Sequence, residues 1–199
     1  MAKKIQPRKM PVQDRSKQTV EYILEASISI LETDGMKGFN TNAIAKKAGV
    51  SIGSLYQYFP SKDAIMNELI QRYFKDQDEK IYQYILNLDS SYQIGDVVDK
   101  FIDSWYEILL SQPQVSRILL KQVDSPELRG KIDELDSKML QFIYNTFKDK
   151  YSINLDKNQL HLTVEAMKGM NDYYFKHGHR VIDIEDVKTC AKKLVKSLL

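Results

Sequence analysis

Residues 41–62 read TNAIAKKAGVSIGSLYQYFPSK, two short helical stretches on either side of a glycine turn. Thr41 stands where it could cap the first stretch, with Ala43, Ile44, Ala45, Lys46, Lys47 and Ala48 as good helix formers behind it. Gly49 falls where a helix stops in a left-handed residue, a conformation that costs glycine nothing sterically. Val50 can then plug the angle between the stretches, and Ser51 offers a side-chain oxygen to cap a second helix running to about Phe59. Two short helices joined by a tight turn containing glycine make the helix-turn-helix pattern.

The second stretch separates two faces. Leu55 and Phe59 lie four apart, so they share one face, and that face must be buried. With a rotation of about 100° per residue, Gly53 and Gln57 turn nearly opposite them, flanked by Ser54 and Tyr56. Glycine and serine let such a face approach a groove closely, while Ser, Gln and Tyr supply donors and acceptors for base edges and phosphates. A solvated helix hairpin could carry the same residues, so chemistry alone leaves both readings open.

The run Thr41…Ile44-Ala45…Ala48-Gly49-Val50-Ser51…Gly53…Leu55-Tyr56…Tyr58-Phe59…Lys62 resembles the DNA-binding segment of the TetR family of transcriptional regulators. The resemblance extends from about Arg15 to Ile70; beyond that it is one of length and helical layout. It implies an all-α chain with an N-terminal three-helix helix-turn-helix head followed by a helical ligand-binding and dimerisation domain. The implied boundaries are a flexible basic arm over residues 1–14, the head over 15–62 with its motif at about 40–59, and the effector and dimer domain over 63–199. The DNA-contacting set that follows is Arg15, Lys17, Thr41, Asn42, Ser51, Ile52, Gly53, Ser54, Tyr56, Gln57, Tyr58 and Lys62. The implied function is a homodimeric, sequence-specific regulator, a repressor released from a palindromic double-stranded operator by a small-molecule effector. An activator using the same head and a helical protein-interaction scaffold are the alternatives.

Composition suits this. The chain has 199 residues, 43% of them hydrophobic, with only 8 glycines and 5 prolines, which fits helices joined by short loops better than an all-β fold. A single cysteine, Cys190, excludes an intramolecular disulfide framework. No early apolar run is followed by a cleavage site, and none approaches the ~20 residues of a membrane span, so a cytoplasmic protein that does not cross a membrane is expected. The net charge of +2 implies no partner by itself, but its distribution is uneven. Lys3, Lys4, Arg8, Lys9, Arg15 and Lys17 face only Asp14, and Pro7 and Pro11 keep the start from being helical. A basic arm beside a helix-turn-helix can reach phosphates or a minor groove, and a solubilising leader is the alternative for its far end.

Around the motif, Val20, Ile23, Leu24, Ile28 and Leu31 follow a helical period that Asp34-Gly35 ends, and Phe39 reads as core. After Phe59, Ser61 is placed to cap a helix through Ile65, Leu69 and Tyr73. The free N–H groups of that helix would join Lys62 in holding a phosphate. Residues 80–89 fit either its continuation or a new helix. Further helices are predicted over 97–110, 115–123, 126–150 and 158–176, with a last one from Asp183.

The last two helices are apolar on more than one stripe. Leu160, Val164, Met167, Asn171 and Tyr174 form one, Leu162, Ala166, Met170 and Tyr173 another, and the closing helix adds Ile184, Val187, Ala191, Leu194, Val195 and Leu198. One stripe packs a helix on its own domain, so a second implies a partner, and a two-fold four-helix bundle would cover it. The interface is assigned to Leu160, Val164, Met167, Asn171, Tyr174, Val187, Ala191, Leu194, Val195 and Leu198. For the effector, Trp105, Tyr106 and Phe142 are the lining candidates, among aromatic residues of a kind that more often make an ordinary core. No catalytic pattern is found. His161, His177 and His179 form no HExxH, cysteines are not paired, and no nucleophile elbow or phosphate loop occurs, so no enzyme, metal or cofactor is expected.

Overall fold

The computed structural model describes residues 14–89, 92–123, 126–177 and 181–199. Ten helices and no strand occur among them: α1 (Asp14–Thr33), α2 (Gly35–Gly38), α3 (Thr41–Lys47), α4 (Ile52–Tyr58), α5 (Lys62–Asn87), α6 (Ile94–Leu110), α7 (Pro113–Leu120), α8 (Pro126–Tyr151), α9 (Lys157–His177) and α10 (Ile184–Lys196). The basic arm before Asp14, the side chains of Asp14 and Arg15, the breaks read at Ser90-Ser91, Ser125 and Gly178, and His179 lie outside what is described.

The chain divides into two compact units. The first takes in the described residues through Tyr73 together with Gln112–Arg129, and the second Phe74–Ser111 with Gly130–Leu199. The expected head of three helices is present in the first, and with it go the opening half of α5 and all of α7.

In the first unit α1 buries Val20, Ile23, Leu24, Ala26, Ile30 and Leu31 and packs against α2, α3 and α7. Ile28 is only half-buried. Ile44, Leu55 and Phe59 are fully buried, each side chain stabilising the head by about 1.5–3 kcal/mol on burial. Gly35 and Gly49 take φ of +61° and +68°. At Gly38 the demand is steric instead, because a Cβ would lie 2.4 Å from that of Asp34. Arg72 in α5 donates to both carboxylate oxygens of Glu21 in α1, at 2.7 and 2.6 Å, and to Glu68 at 3.0 Å. The proline that opens α7 needs no N–H at that position. The Tyr73 hydroxyl donates to Ser116 Oγ at 2.9 Å in the interior, and Ser116 donates on to the Gln112 carbonyl.

In the second unit α5 continues unbroken to Asn87. No glycine or proline interrupts residues 74–87, and Lys150 of α8 donates to the carbonyls of Leu86 and Leu88, placing a cation at the negative end of the helix. α10 packs on both α6 and α9. Its apolar side inserts Val187 and Ala191, while its charged side meets α6 in an antiparallel ladder. Lys196 pairs with Asp99 at 2.7 Å and Lys192 with Asp103 at 2.7 Å. Lys188, held by Glu185 at 2.8 Å, faces Asp103 and Glu107.

Most of the interface residues assigned from sequence face the interior of their own chain. Leu160, Val164, Met167, Asn171, Val187 and Ala191 are buried within their own chain, and Asn171 accepts a hydrogen bond from the Tyr106 hydroxyl at 2.8 Å. Tyr174, Leu194, Val195 and Leu198 are half-buried. The stripe left open is the other one: Leu162 is 67% exposed and Tyr173 46%, with Ala166 and Gly169 exposed between them and Met170 half-buried. The physical reason is that α6 and α10 occupy the Leu160 side of α9, so the covered face is the intramolecular one.

Candidate nucleic-acid interface

Local capping builds the motif. α3 begins one residue earlier than the sequence reading, because Asn40 and not Thr41 is its cap: the Asn40 side chain accepts from the Ala43 N–H at 2.9 Å. Thr41 is thereby released, and its hydroxyl lies 3.1 Å from that of Tyr56 in α4. Ala48 and Val50 close α3 through N–H bonds to Ile44 and Ala45, on either side of the left-handed Gly49. Ser51 caps α4 as expected, accepting from the Ser54 N–H at 3.0 Å, with the two hydroxyls 2.8 Å apart. Ser61 likewise accepts from the Ala64 N–H at 3.2 Å and opens α5 beside Lys62.

The α4 faces separate as its period requires. Leu55 and Phe59 point into the head, while Ile52, Gly53, Tyr56 and Gln57 are exposed and Ser54 and Tyr58 are half-buried. A Cβ built on Gly53 meets only Ser51 Oγ, at 3.8 Å, so nothing inside the head requires glycine there. Around α4, Asn42, Lys17 and Lys62 are exposed and Thr41 is half-buried. The first unit thus carries an uncharged exposed face on α4, with hydroxyls locked to one another at its edges and cations on α1 and at the start of α5. Two good capping residues stand side by side at Asn40 and Thr41, each with a backbone N–H three residues on, so spacing along the chain does not separate them and the fold does.

In the second unit the three aromatic candidates do not share one wall. Trp105 stacks edge-on against Phe101 at 5.6 Å and lines a hollow with Ile143, Phe147, Leu160 and Met167 that has room for about 30 Å³. Tyr106 is instead fully buried and bonded to Asn171; burial pushes its hydroxyl up to about 12. Phe142 packs on Tyr82 at 4.4 Å. Core packing consumes Tyr106, as apolar interiors close-pack wherever their side chains interdigitate, while Phe142 stays half-buried against Tyr82. No described helix is long and apolar enough to cross a membrane, and no group of His, Cys, Asp or Glu among the described residues is placed to hold a metal.

Comparison with known proteins agrees with this geometry. Residues 23–69 match the family described as bacterial regulatory proteins, tetR family. The chain is 44% identical over 70 residues to the nucleoid occlusion factor SlmA of Actinobacillus pleuropneumoniae, a match covering 34% of each chain. It is 20% identical over 138 residues, 69% of each chain, to the HTH-type transcriptional regulator UidR of Escherichia coli. The match thus spans about a third of the length of the first of these curated relatives. Among solved structures, a TetR-family transcriptional regulator from Mesorhizobium loti superposes with a TM-score of 0.72 at 17% identity, over 94% of this chain and 98% of that one. The capped helix pair thus lies within the segment that matches the tetR family of bacterial regulatory proteins, and the fold is shared along nearly the whole chain with a solved TetR-family regulator.

Proposed function

We propose that this chain is a DNA-binding transcriptional regulator whose α4 enters the major groove of a double-stranded operator. The observation that carries the reading is the division of α4 into a buried Leu55/Phe59 side and an exposed Gly53/Tyr56/Gln57 side. Glycine sets the closeness of approach, and Gln57 is the side chain suited to pair with an adenine edge. Ser51, Ile52, Ser54 and Tyr58 complete the reading surface. Lys17, Asn42, Thr41 with its Tyr56 partner, and Lys62 at the α5 N-terminus hold phosphates, joined by Arg15 at the start of α1.

The regulator acts as a homodimer, two copies meeting through the exposed Leu162, Ala166, Met170 and Tyr173 stripe of α9. Alanine and glycine at its centre allow close helix approach, and leucine and tyrosine at its ends supply apolar area that a soluble monomer would not leave open. Two-fold symmetry then calls for a palindromic operator with half-sites about one helical turn or a multiple apart. An effector bound by the second unit lowers operator affinity by preferring a conformation in which the heads no longer match that spacing. This makes the chain a repressor in the effector's absence. Selecting bound sequences from random duplexes tests the reading directly. A palindromic consensus whose binding weakens steeply with salt is expected, and salt-sensitive binding with no sequence preference, or none at all, would refute it.

A further inference from the structure

Arg72 of α5 spends its guanidinium on two carboxylates of the first unit. Its Nη1 donates to both oxygens of Glu21 in α1, at 2.7 and 2.6 Å, and its Nε donates to Glu68, one turn earlier on α5, at 3.0 Å. All three side chains are partly exposed, so the bonds add little to stability, and their consequence lies in which charges they occupy. Glu21 stands four residues after Lys17, the spacing at which side chains of one helix meet. Lys17 is itself exposed and makes no ion pair among the described residues. The carboxylate one turn along α1 from it is already held from another helix.

We propose that Arg72 is a positioning residue for contact with the DNA backbone: by holding both oxygens of Glu21, it keeps that carboxylate from capturing Lys17. This rests on the reading of Lys17 as a phosphate contact. A lysine paired with a carboxylate must give it up before a phosphate can take its place, and an unmasked carboxylate at that turn repels the strand. Arginine suits the role where lysine would not. Its planar fork engages Glu21 and Glu68 together, whereas an ammonium group is a point charge.

Two measurements on the full chain test the arrangement and its consequence separately. Amine-reactive labelling of the free chain, read by mass spectrometry, reports on Lys17 without any DNA. Arg72→Gln should slow the labelling of Lys17 about twofold, the scale of an exposed pair within a helix, and Glu21→Gln should leave it at the parent rate. Faster labelling in Glu21→Gln would show Lys17 already captured in the parent and overturn the proposal, a result that stands even where Arg72→Gln fails to fold. An unchanged rate in a folded Arg72→Gln chain would overturn it too. In operator binding, Arg72→Gln should lose about three- to tenfold in affinity and flatten the salt slope by up to about one unit. Glu21→Gln added to Arg72→Gln should restore both, because no carboxylate is left to mask. A double variant as weak as Arg72→Gln would mean that Arg72 touches DNA itself or only braces α1 on α5, and would reject the proposal. A parent that binds no duplex while its labelling pattern holds would refute the regulator reading, and with it the role of Arg72 in backbone contact.

Discussion

Asn40 and Thr41 show how little separates a structural residue from a contacting one. The Asn40 side chain accepts from the Ala43 N–H and ends there, while the neighbouring hydroxyl is free to reach Tyr56. Asn40→Ala should therefore cost the head about 1 kcal/mol in thermal or urea unfolding, the usual loss for a helix cap, and Thr41→Ala clearly less. In DNA binding the order should reverse, since Thr41 and not Asn40 holds a phosphate in the proposed complex. In the proposed complex Gly53 and Gln57 divide the reading role. Gly53→Leu should fold normally, because the added side chain meets no neighbour closer than 3.8 Å at its Cβ, yet lose specific binding by holding α4 off the groove. Gln57→Ala should relax preference at one base pair per half-site by roughly 1–3 kcal/mol, read as a changed position in selected sequences. An unchanged consensus would mean that DNA shape or neighbouring side chains do the reading.

At the scale of the element, the ladder between α6 and α10 sets a register that apolar packing alone would leave loose. Asp99, Asp103 and Glu107 rise four residues at a time while Lys196, Lys192 and Lys188 descend four at a time, so only one antiparallel alignment matches all the charges. Each pair is partly exposed, with Lys192 27% and Asp103 47% open, so screening holds any one of them to about 1 kcal/mol or less. Asp103→Lys should lower the stability of the second unit by about that amount, through lost attraction and new repulsion against Lys192 and Lys188. The double variant Asp103→Lys with Lys192→Asp should recover part of the loss, which a double-mutant cycle in urea would measure. Purely additive losses would mean that Val187 and Ala191 place α10 unaided.

For the whole molecule, the two stripes of α9 predict opposite outcomes from the same chemistry two residues apart. Val164 is buried at 9% exposure, so Val164→Glu forces an uncompensated charge into the unit and should cost several kcal/mol of folding stability. Leu162 is 67% exposed, so Leu162→Glu should leave the unfolding of the isolated chain near that of the parent. Sedimentation should nevertheless show it as a monomer, and operator binding should fall because the paired heads are lost. A Leu162→Glu chain that stayed dimeric would place the interface on another face.

What the sequence by itself determined is what depends on neighbours along the chain. Ser51, Gly49 and the Leu55/Phe59 pair act within one or two helical turns, so spacing alone identified the motif, its turn and its inward face. Helix positions followed for the same reason, within a few residues at the ends. Three matters belonged to tertiary structure. Period shows that α9 has two apolar stripes, but only the placement of α6 and α10 decides that the Leu160 side is filled and the Leu162 side left open. Residue type cannot tell a cavity wall from a packed core, and so Trp105, Tyr106 and Phe142 went to three different surroundings. Finally, α7 joins the first unit through its packing on α1 and the bond from Tyr73 to Ser116, a contact across 43 residues that no local pattern encodes.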